Sequence, residues 1–454
     1  MRRRMFLRSA GAASVGLIGG SGNSFQDSPA ANAQPRGGLL AGMTIEDLRH
    51  RQHEDLFERF LPFWDKHGID HEYGGFLTCL DHDGTRLNTN KFHWFQGNGI
   101  WVWSYLYNHL DKNPHYLEVA RKSREFLLKY AEPHKFWPAM WSREGEVLKP
   151  FSGDTYGMLF GAEGFQEYAT AAGDEQAHQQ AIDLLNRVFR DMDRPDFRFL
   201  GTGAPGVRTL AQWFITLEVA TQLLQHGKDA GVQAIADRCV EAVMEKYYNP
   251  ELGLFVDTRN YDFSPVKGEE DLCPIGHAVE AMWVMMKEAE RRNDETLYNT
   301  CAQRVRRLFD VGWDPVFGGL SEQVNVGHGC YDWPPEQPMF TSLDFRSQGE
   351  FEYLKSMWAL DSEMIATMMF YEKTGASWAA EDFSKSYRYI DEKFSLKGHG
   401  YPGWLMFLDR KGTFEPKGYR QDNYHHPRQL MYNLLVLGRL LKRSPAGTHP
   451  AGSK

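Results

Sequence analysis

Two histidines stand beside polar residues at spacings that suit acid–base chemistry on a small substrate. His277 and Glu280 are three residues apart in segment 273–280 (CPIGHAVE), so on a helix they share one face. A carboxylate in that position can orient an imidazole, pair with its charge and tune its pKa. His425 and His426 begin a second segment, 424–428 (YHHPR), that leads into the last predicted helix. We expect one of these two to be a surface residue.

Metal binding is the alternative use of a His-x-x-Glu pair. Zinc sites take three or four His, Cys or carboxylate ligands at recognisable spacings. The sequence offers no third ligand with convincing spacing near His277 and Glu280. We therefore predict no metal and no other cofactor.

Two further segments carry more polar and aromatic groups than a helix core needs. Segment 358–363 (WALDSE) places Asp361 and Glu363 inside an otherwise apolar helix, two residues apart and so on different faces. At least one of them should point inward, where an unpaired carboxylate is costly outside a polar cavity. Segment 92–101 (FHWFQGNGIW) mixes amide and aromatic side chains at a helix start. Each of these residues has a plain alternative as a packed or solvated helix position.

These residues must be positioned by helices, because three-and-four apolar spacing recurs from Thr44 almost to the end of the chain. Thr44 is the expected N-cap of the first helix, with acidic residues after it. No βαβ rhythm and no GxxxxGK[ST] phosphate loop occurs. The eleven later helical windows are 93–109, 114–131, 157–172, 175–192, 207–226, 229–247, 275–292, 295–310, 350–374, 377–393 and 424–442.

A glycine-led turn recurs between helices, at 73–76 (YGGF), 252–255 (LGLF), 317–320 (FGGL) and 398–401 (GHGY). Each is followed by a short apolar–polar segment that reads as a hairpin. The recurrence indicates a repeated helical-hairpin unit. We therefore predict an all-α fold, an (α/α)6 barrel of six inner and six outer helices with short β-hairpin loops at one mouth, where long loops would form the site.

The N-terminus reads as an export signal. Residues 3–8 (RRMFLR) form a twin-arginine pattern, a short apolar run follows to Gly20, and 31–33 (ANA) suits cleavage. We predict a signal peptide over 1–33, a linker over 34–43, a barrel domain over 44–443 and a flexible tail over 444–454. Because the apolar run is too short to span a bilayer, the expected location is periplasmic or secreted, with no membrane span.

The net charge limits the classes of molecule that the protein could bind, and the cysteine pattern bears on disulfides. The formal charge of −9 becomes −12 when residues 1–33, with four arginines and one aspartate, are removed. An acidic protein is a poor ligand for nucleic acid, so we expect none as partner. The odd number of cysteines and the lack of a CxxC pair do not read as a disulfide framework. Their positions are Cys79, Cys239, Cys273, Cys301 and Cys330.

From about residue 45 to 442 the chain resembles the N-acylglucosamine 2-epimerase family, which includes cellobiose 2-epimerases and mannose-type isomerases. The likeness is carried by segments 91–101, 156–168, 274–280, 358–363 and 425–428, in that order. The resemblance implies an (α/α)6 barrel, a free mono- or disaccharide substrate, no cofactor and a homodimer. It implies proton transfer at C2 of a ring-opened sugar, through an enediolate, between two histidines.

Carried over residue by residue, the resemblance assigns catalysis to His277 and His425, with Glu280 as the partner of His277. The residues expected to bind the sugar are Asn98, Trp101, Tyr156, Trp358, Asp361, Glu363 and Arg428. One departure is Asn98 itself, because the family pattern has an arginine there that would hold a sugar oxygen and stabilise the enediolate. Whether Lys91 or another cation takes that role stays open. A second departure is that segment 212–218 (QWFITLE) lacks the histidine of the isomerases and cellobiose epimerases.

Three functions remain open for such a barrel, because one fold can support several different reactions. The first is a sugar 2-epimerase or aldose–ketose isomerase. The second is a glycoside or unsaturated-uronide hydrolase, which needs a paired acid and base such as Asp361, Glu363 or Asp154. The third is a sugar-binding protein without chemistry.

Overall fold

The structure is a computed structural model that describes residues 39–131, 135–199, 204–326 and 354–443. Twelve long helices, numbered here in chain order, occupy these residues. Thr44 caps the first of them, its side chain accepting a hydrogen bond from the backbone N–H of Asp47 at 3.1 Å, as predicted. The helices are α1 (Ile45–Glu54, continued by Asp55–Phe60, Leu61–Phe63 and Trp64–Gly68), α2 (His93–His109), α3 (Pro114–Tyr130), α4 (Tyr156–Ala172), α5 (Glu175–Met192), α6 (Leu210–His226), α7 (Ala230–Glu241, continued by Ala242–Lys246), α8 (Ile275–Arg292), α9 (Glu295–Gly312), α10 (Met357–Thr374), α11 (Ser377–Tyr389, continued by Ile390–Phe394) and α12 (His425–Arg443).

The helices form two concentric rings. Each even-numbered helix packs against the next even-numbered one, from α2 round to α12 and back to α2, while each odd-numbered helix packs outside them. The inner helices are apolar on nearly every face, as in α8, because they are covered on both sides. This is the predicted (α/α)6 barrel. All inner helices run the same way, so their N-termini meet at one end, which we call the mouth.

Short antiparallel strands collect at the mouth, where β1, β4, β8 and β10 lead into inner helices. The strand pairs are β1 (Lys91–Phe92) with β2 (Met140–Trp141), β2 with β3 (Val147–Lys149), β4 (Arg208–Thr209) with β7 (Thr258–Arg259), β5 (Tyr248–Asn249) with β6 (Leu254–Phe255), β8 (Leu272–Cys273) with β9 (Val324–Asn325), and β10 (Lys355–Ser356) with β11 (Phe407–Leu408). The glycine-led turns are present, and Gly74 and Gly318 adopt φ of +79° and +72°, which only glycine takes without strain.

The same buried lysine arrangement occurs twice at the mouth, each time with an ion pair to an aspartate and a hydrogen bond to a glycine carbonyl. The Lys91 ammonium lies 3.0 Å from Asp70 and donates to the Gly74 carbonyl at 2.7 Å, beneath the first glycine turn. Lys355 repeats this beneath the third turn, donating to the Gly318 carbonyl and lying 3.4 Å from Asp314. The repeat explains why a lysine precedes both α2 and α10. Lys91 therefore holds a loop, and the idea that it replaces an arginine at position 98 is wrong.

The predicted helix over 350–374 begins too early. Lys355 and Ser356 form β10 against β11, so the helix starts at Met357, while 350–353 lie outside the described residues. The proposed signal peptide, Cys330 and the tail over 444–454 also lie outside them. In the described part of the chain, four cysteines are buried free thiols, and no helix is long and apolar enough to cross a membrane.

Candidate active site

His277 is the third residue of α8, at the mouth. It is half-buried, with its ring centroid 5.0 Å from that of Trp358 and 6.0 Å from that of Phe214. Gly276 allows this contact, since a Cβ there would come within 2.7 Å of the Trp358 indole. Burial lowers the pKa of His277, although Glu280 opposes that effect. His277 is therefore held as the neutral imidazole, the form that accepts a proton.

His425 is the first residue of α12, and Asp422 fixes it. The Asp422 carboxylate accepts hydrogen bonds from the backbone N–H and from ring Nδ1 of His425, both at 3.0 Å. Burial works against a charged imidazole, but the attraction of Asp422 outweighs it and raises the pKa of His425. His425 therefore carries a proton more readily than His277 does. Since Asp422 holds Nδ1–H, the ring presents Nε2 to other groups.

The indole of Trp358 joins the two histidines. Its ring centroid lies 5.0 Å from that of His277 and 6.0 Å from that of His425, and the charge of His425 lowers the pKa of His277. The two imidazoles therefore contact the same indole at the mouth. Trp358 is half-buried there, so part of its side chain is exposed.

Glu280 has a different partner from the one expected. Its carboxylate accepts a hydrogen bond from Arg428 at 2.5 Å, and in the described structure no hydrogen bond joins it to His277. Glu280 acts on His277 only through its charge, which raises the pKa of the imidazole from one helical turn away. The prediction that Glu280 directly pairs with His277 is therefore corrected.

Arg428 lies beneath the histidines, 1% exposed. Besides Glu280, its guanidinium contacts Glu218 at 3.3 Å and donates to the Tyr424 hydroxyl at 2.8 Å. That hydroxyl in turn donates to Glu163 at 2.7 Å. Arg428 thus neutralises a buried cluster of carboxylates below the site, instead of contacting substrate as the sequence predicted.

Asn98 and Trp101 lie on the inner face of α2, and both are only 2% exposed. Trp101 stacks on Tyr105 with centroids 4.7 Å apart and packs edge-on against Tyr424, so it belongs to the core. The side-chain oxygen of Asn98 has no hydrogen-bond partner among the described residues. Asn98 therefore has an unused acceptor on the inner face of α2.

Tyr156, the first residue of α4, does lie at the mouth. Its hydroxyl is 2.9 Å from that of Thr209, and its ring packs 5.7 Å from Trp94. Asp154, the acid proposed for a hydrolase, is occupied nearby. It accepts from the Trp94 indole N–H at 2.7 Å and from the Tyr156 backbone N–H at 3.0 Å.

Asp361 and Glu363 point in different directions, as their spacing predicted. Asp361 lies 2.9 Å from Nδ1 of His426, and burial raises the pKa of its carboxyl. Glu363 faces Ser386 on the outer helix α11, and burial raises its pKa to about 8. The prediction of Glu363 as a sugar-binding residue is therefore wrong, because the side chain lies between two rings of helices.

His426 corrects the expectation of a surface histidine. It is 4% exposed and packs against Trp404 with centroids 4.3 Å apart, while its Nδ1 contacts Asp361. His425 is half-buried, so neither histidine of the pair lies on the open surface.

Three acidic residues at the site were not identified from the sequence. Asp422 had a usable signal, since an acid three residues before a helical histidine is a capping arrangement. Glu322 accepts from the Ser356 hydroxyl, while its backbone carbonyl accepts from Gly276 N–H at 3.1 Å. Burial raises the pKa of Glu322 to about 8 and that of Asp257 to about 7. Neither had a sequence signal, because both lie on loops far from the histidines along the chain.

The described residues contain no cluster of three His, Cys, Asp or Glu side chains that could hold a metal ion. The site contains an imidazole whose pKa is lowered, an imidazole whose pKa Asp422 raises, an aromatic ring and several acids. Such a set can remove a proton from one atom of a substrate and return a proton elsewhere.

Comparison with known proteins agrees with an all-helical barrel enzyme of sugar chemistry. The model of the family described as N-acylglucosamine 2-epimerase (GlcNAc 2-epimerase) matches residues 74–428. N-acylglucosamine 2-epimerase from Bos taurus is 27% identical over 88% of this chain and 93% of its own length. Cellobiose 2-epimerase from Bacteroides fragilis is 24% identical over 63% of this chain and 79% of its own. The solved cellobiose 2-epimerase from Bacillus thermoamylovorans superposes with a TM-score of 0.70 at 18% identity, covering 86% of this chain and 99% of that one.

The chain belongs to the N-acylglucosamine 2-epimerase family. The resemblance read from the sequence is therefore confirmed. So is the prediction of a carbohydrate epimerase or isomerase, at the level of the family.

Proposed function

We propose that the protein converts a free mono- or disaccharide at C2, by epimerisation or by aldose–ketose isomerisation. The observation that carries this proposal is the placement of His277 and His425 against one indole, with pKa shifts of opposite sign. A base and an acid at one site are what C2 proton transfer needs.

In the proposed reaction, neutral His277 removes the C2 proton of a ring-opened aldose, and the electrons move into an enediolate. Protonated His425 then returns a proton. Delivery to the opposite face of C2 gives the epimer. Delivery to C1, with the O2 proton passing to O1, gives the ketose. The charge states of the two histidines are exchanged at the end and are restored by proton exchange with water.

The substrate is a free sugar with an accessible aldehyde. The relatives named above act, by their names, on N-acylglucosamine and on cellobiose, so both chemical classes belong in a test. The Trp358 face would pack on the sugar ring, and Tyr156 at the mouth would border it.

A panel experiment tests the proposal. The protein is incubated in heavy water with free aldoses, N-acetylhexosamines and cellobiose, and the C2 proton is followed by NMR. We expect loss of the C2 signal and a new epimer or ketose, and formation of that product should be abolished in His277→Ala and in His425→Ala. The control is His50→Ala, whose side chain on α1 is 74% exposed. Cleavage of a glycoside without C2 exchange would move the assignment to a hydrolase, and binding alone would move it to a sugar-binding protein.

We also propose that the protein is exported through the twin-arginine route and works in the periplasm or outside the cell. The support is the pattern in residues 3–8 and the ANA cleavage site at 31–33. Cell fractionation of the full chain beside an Arg3→Lys, Arg4→Lys variant tests this. Export of both proteins alike would contradict it.

We further propose a homodimer with no nucleic-acid partner. The acidic balance of the chain supports the second part, and family resemblance supports the first. Light scattering of the purified protein tests the dimer, and a monomer mass at micromolar concentration would exclude it.

A further inference from the structure

The proposed reaction creates negative charge on sugar oxygens in a site that is already acidic. Glu280, Asp422 and Glu322 all influence the charge of His425 or of one another. An enediolate formed among them needs a hydrogen-bond donor or a cation that is already in place. Such a cation must lack protein partners, so that it can bind the charged oxygen of the substrate.

Three buried cations of the inner helices and of the strands before them are already bound to protein groups. Arg428 pairs with Glu280 and Glu218 below the site. Lys91 forms an ion pair with Asp70, and Lys355 forms one with Asp314. None of these can reach a substrate without leaving a buried carboxylate unpaired, which is costly.

Arg420 is different. Within the described residues its guanidinium has no hydrogen bond and no ion pair, and its close contact is the ring of Phe95, 5.2 Å from the centroid. The side chain is half-buried, and burial lowers the pKa of Arg420 while the nearby charge of Asp422 opposes that shift. A half-buried guanidinium without a hydrogen-bonding partner among the described residues keeps its donors available to a ligand.

The loop that carries Arg420 is fixed in place. The backbone N–H of Gln421 donates to the Thr78 carbonyl at 2.9 Å, and the Asn423 amide donates to the Phe95 carbonyl at 2.9 Å. The next residue with a role is Asp422, which holds His425. The guanidinium is therefore presented by a backbone tied to both α2 and the start of α12.

Arg420 lies beside the residue that holds the acid of the proposed pair. Its charge interacts with that of Asp422, whose carboxylate binds Nδ1 of His425. Phe95 is the third residue of α2, so a guanidinium over Phe95 and beside Asp422 lies at the mouth, on the side of His425. Asn98 follows Phe95 by one turn on the same helix, with its side-chain oxygen unpartnered.

We infer that Arg420 is the cation of this site, donating hydrogen bonds to the sugar oxygen on which the enediolate charge develops. The inference rests on the proposed function. Arg420 is then a substrate-contacting residue that reaches the site from the loop before α12. It supplies the positive charge that Asn98 on α2 lacks.

The test compares Arg420→Gln with Lys417→Gln, an exposed lysine of the same loop whose loss removes the same charge from the mouth. Loss of one oxyanion donor costs about 100- to 1,000-fold in kcat. We expect that loss in Arg420→Gln, less than threefold loss in Lys417→Gln, and unchanged melting in both. Equal activities of the two variants, or Arg420→Gln within threefold of wild type, would overturn the inference while leaving the proposed function intact. Failure of wild type to exchange C2 protons of any sugar would instead overturn both.

A second variant tests whether an arginine at position 98 can replace the guanidinium of Arg420. Because Asn98 lies one turn beyond Phe95, an arginine there can send its guanidinium into the same region. In the Arg420→Gln background, Asn98→Arg should recover at least tenfold in kcat, and a folded double variant with no recovery would count against the inference. If the double variant does not fold, added guanidinium ion should restore activity to Arg420→Ala but not to His277→Ala, and no restoration overturns the inference.

Discussion

Asp422 accepts two hydrogen bonds from His425, one from the backbone N–H and one from ring Nδ1, each at 3.0 Å. The first caps helix α12, and the second fixes the ring and favours its protonated form. The start of the last inner helix is thus joined to the acid of the proposed reaction through one carboxylate.

Asp422→Asn should shift the pH dependence of the reaction. The amide can still accept from the backbone N–H, but it lacks the charge that raises the pKa of His425. Activity that needs protonated His425 is lost as pH rises through that pKa, so the alkaline limb of kcat should move to lower pH. A pH profile of C2 exchange measures this, and a limb in its original place would show that His425 is not the acid.

The same charge pair should contribute to stability. Since the pKa of His425 is raised on folding, its contribution is present below the unfolded pKa of about 6.5 and is lost as pH rises through the folded pKa. Asp422→Asn should therefore destabilise the protein more at pH 5.5 than at pH 8.5. Urea unfolding at the two pH values provides the measurement.

Arg428→Met should destabilise the barrel strongly. The substitution leaves Glu280 and Glu218 buried without their cation, which typically costs about 3–5 kcal/mol. The matched control is Arg439→Met. Arg439 is 48% exposed and its partner Glu372 keeps an ion pair with Arg443, so the change should cost about 1 kcal/mol or less. Equal free energies of unfolding for the two variants would mean that Arg428 does not hold the carboxylates together.

Gly276→Ala should impair catalysis through Trp358. The added Cβ would come within 2.7 Å of the indole, so Trp358 must shift away from His277. Overpacking of this kind costs about 1–3 kcal/mol of stability, and we expect kcat to fall about tenfold or more. Gly398→Ala is the control, because a Cβ there meets nothing within 4 Å. Normal kcat in Gly276→Ala would show that the position of the indole is not critical.

Glu363→Gln should remove a pH-dependent loss of stability without changing the reaction. The folded pKa of about 8 exceeds the ordinary value of 4.5, so the stabilising effect of the proton is present below about pH 4.5 and lost as pH rises towards 8. Glutamine keeps the shape without that dependence, and the variant should be more stable than wild type at pH 9. Exposed Glu381 on α11 offers the control, Glu381→Gln. A variant less stable than wild type at pH 9 would mean that Glu363 is charged and paired.

The helices were predictable from the sequence because their apolar spacing is local. Windows 93–109, 175–192 and 275–292 match the observed bounds, and Thr44 caps the first helix as expected. Two starts were predicted too early, at 350 and at 207, where β10 pairs with β11 and β4 pairs with β7 about fifty residues later. Pairing over that distance leaves no local signal at Lys355.

The site was predictable only in its centre. His277 and His425 stood out by type and neighbours, and the structure brings both to Trp358. The partners of Arg428 could not be found in the same way, since Glu218 and Glu280 are 210 and 148 residues away along the chain. For the same reason Glu280 read as a partner of His277, and Glu363 read as facing the cavity.

The most direct test of the two-histidine mechanism uses each epimer of the substrate separately in heavy water. In His425→Ala, His277 should still exchange the C2 proton of one epimer without inversion, while wild type both exchanges and inverts or isomerises. In His277→Ala, exchange of that epimer should be absent and only the other epimer, or the ketose, should react. Identical exchange patterns in the two variants, or inversion surviving in either, would contradict the assignment of His277 as base and His425 as acid.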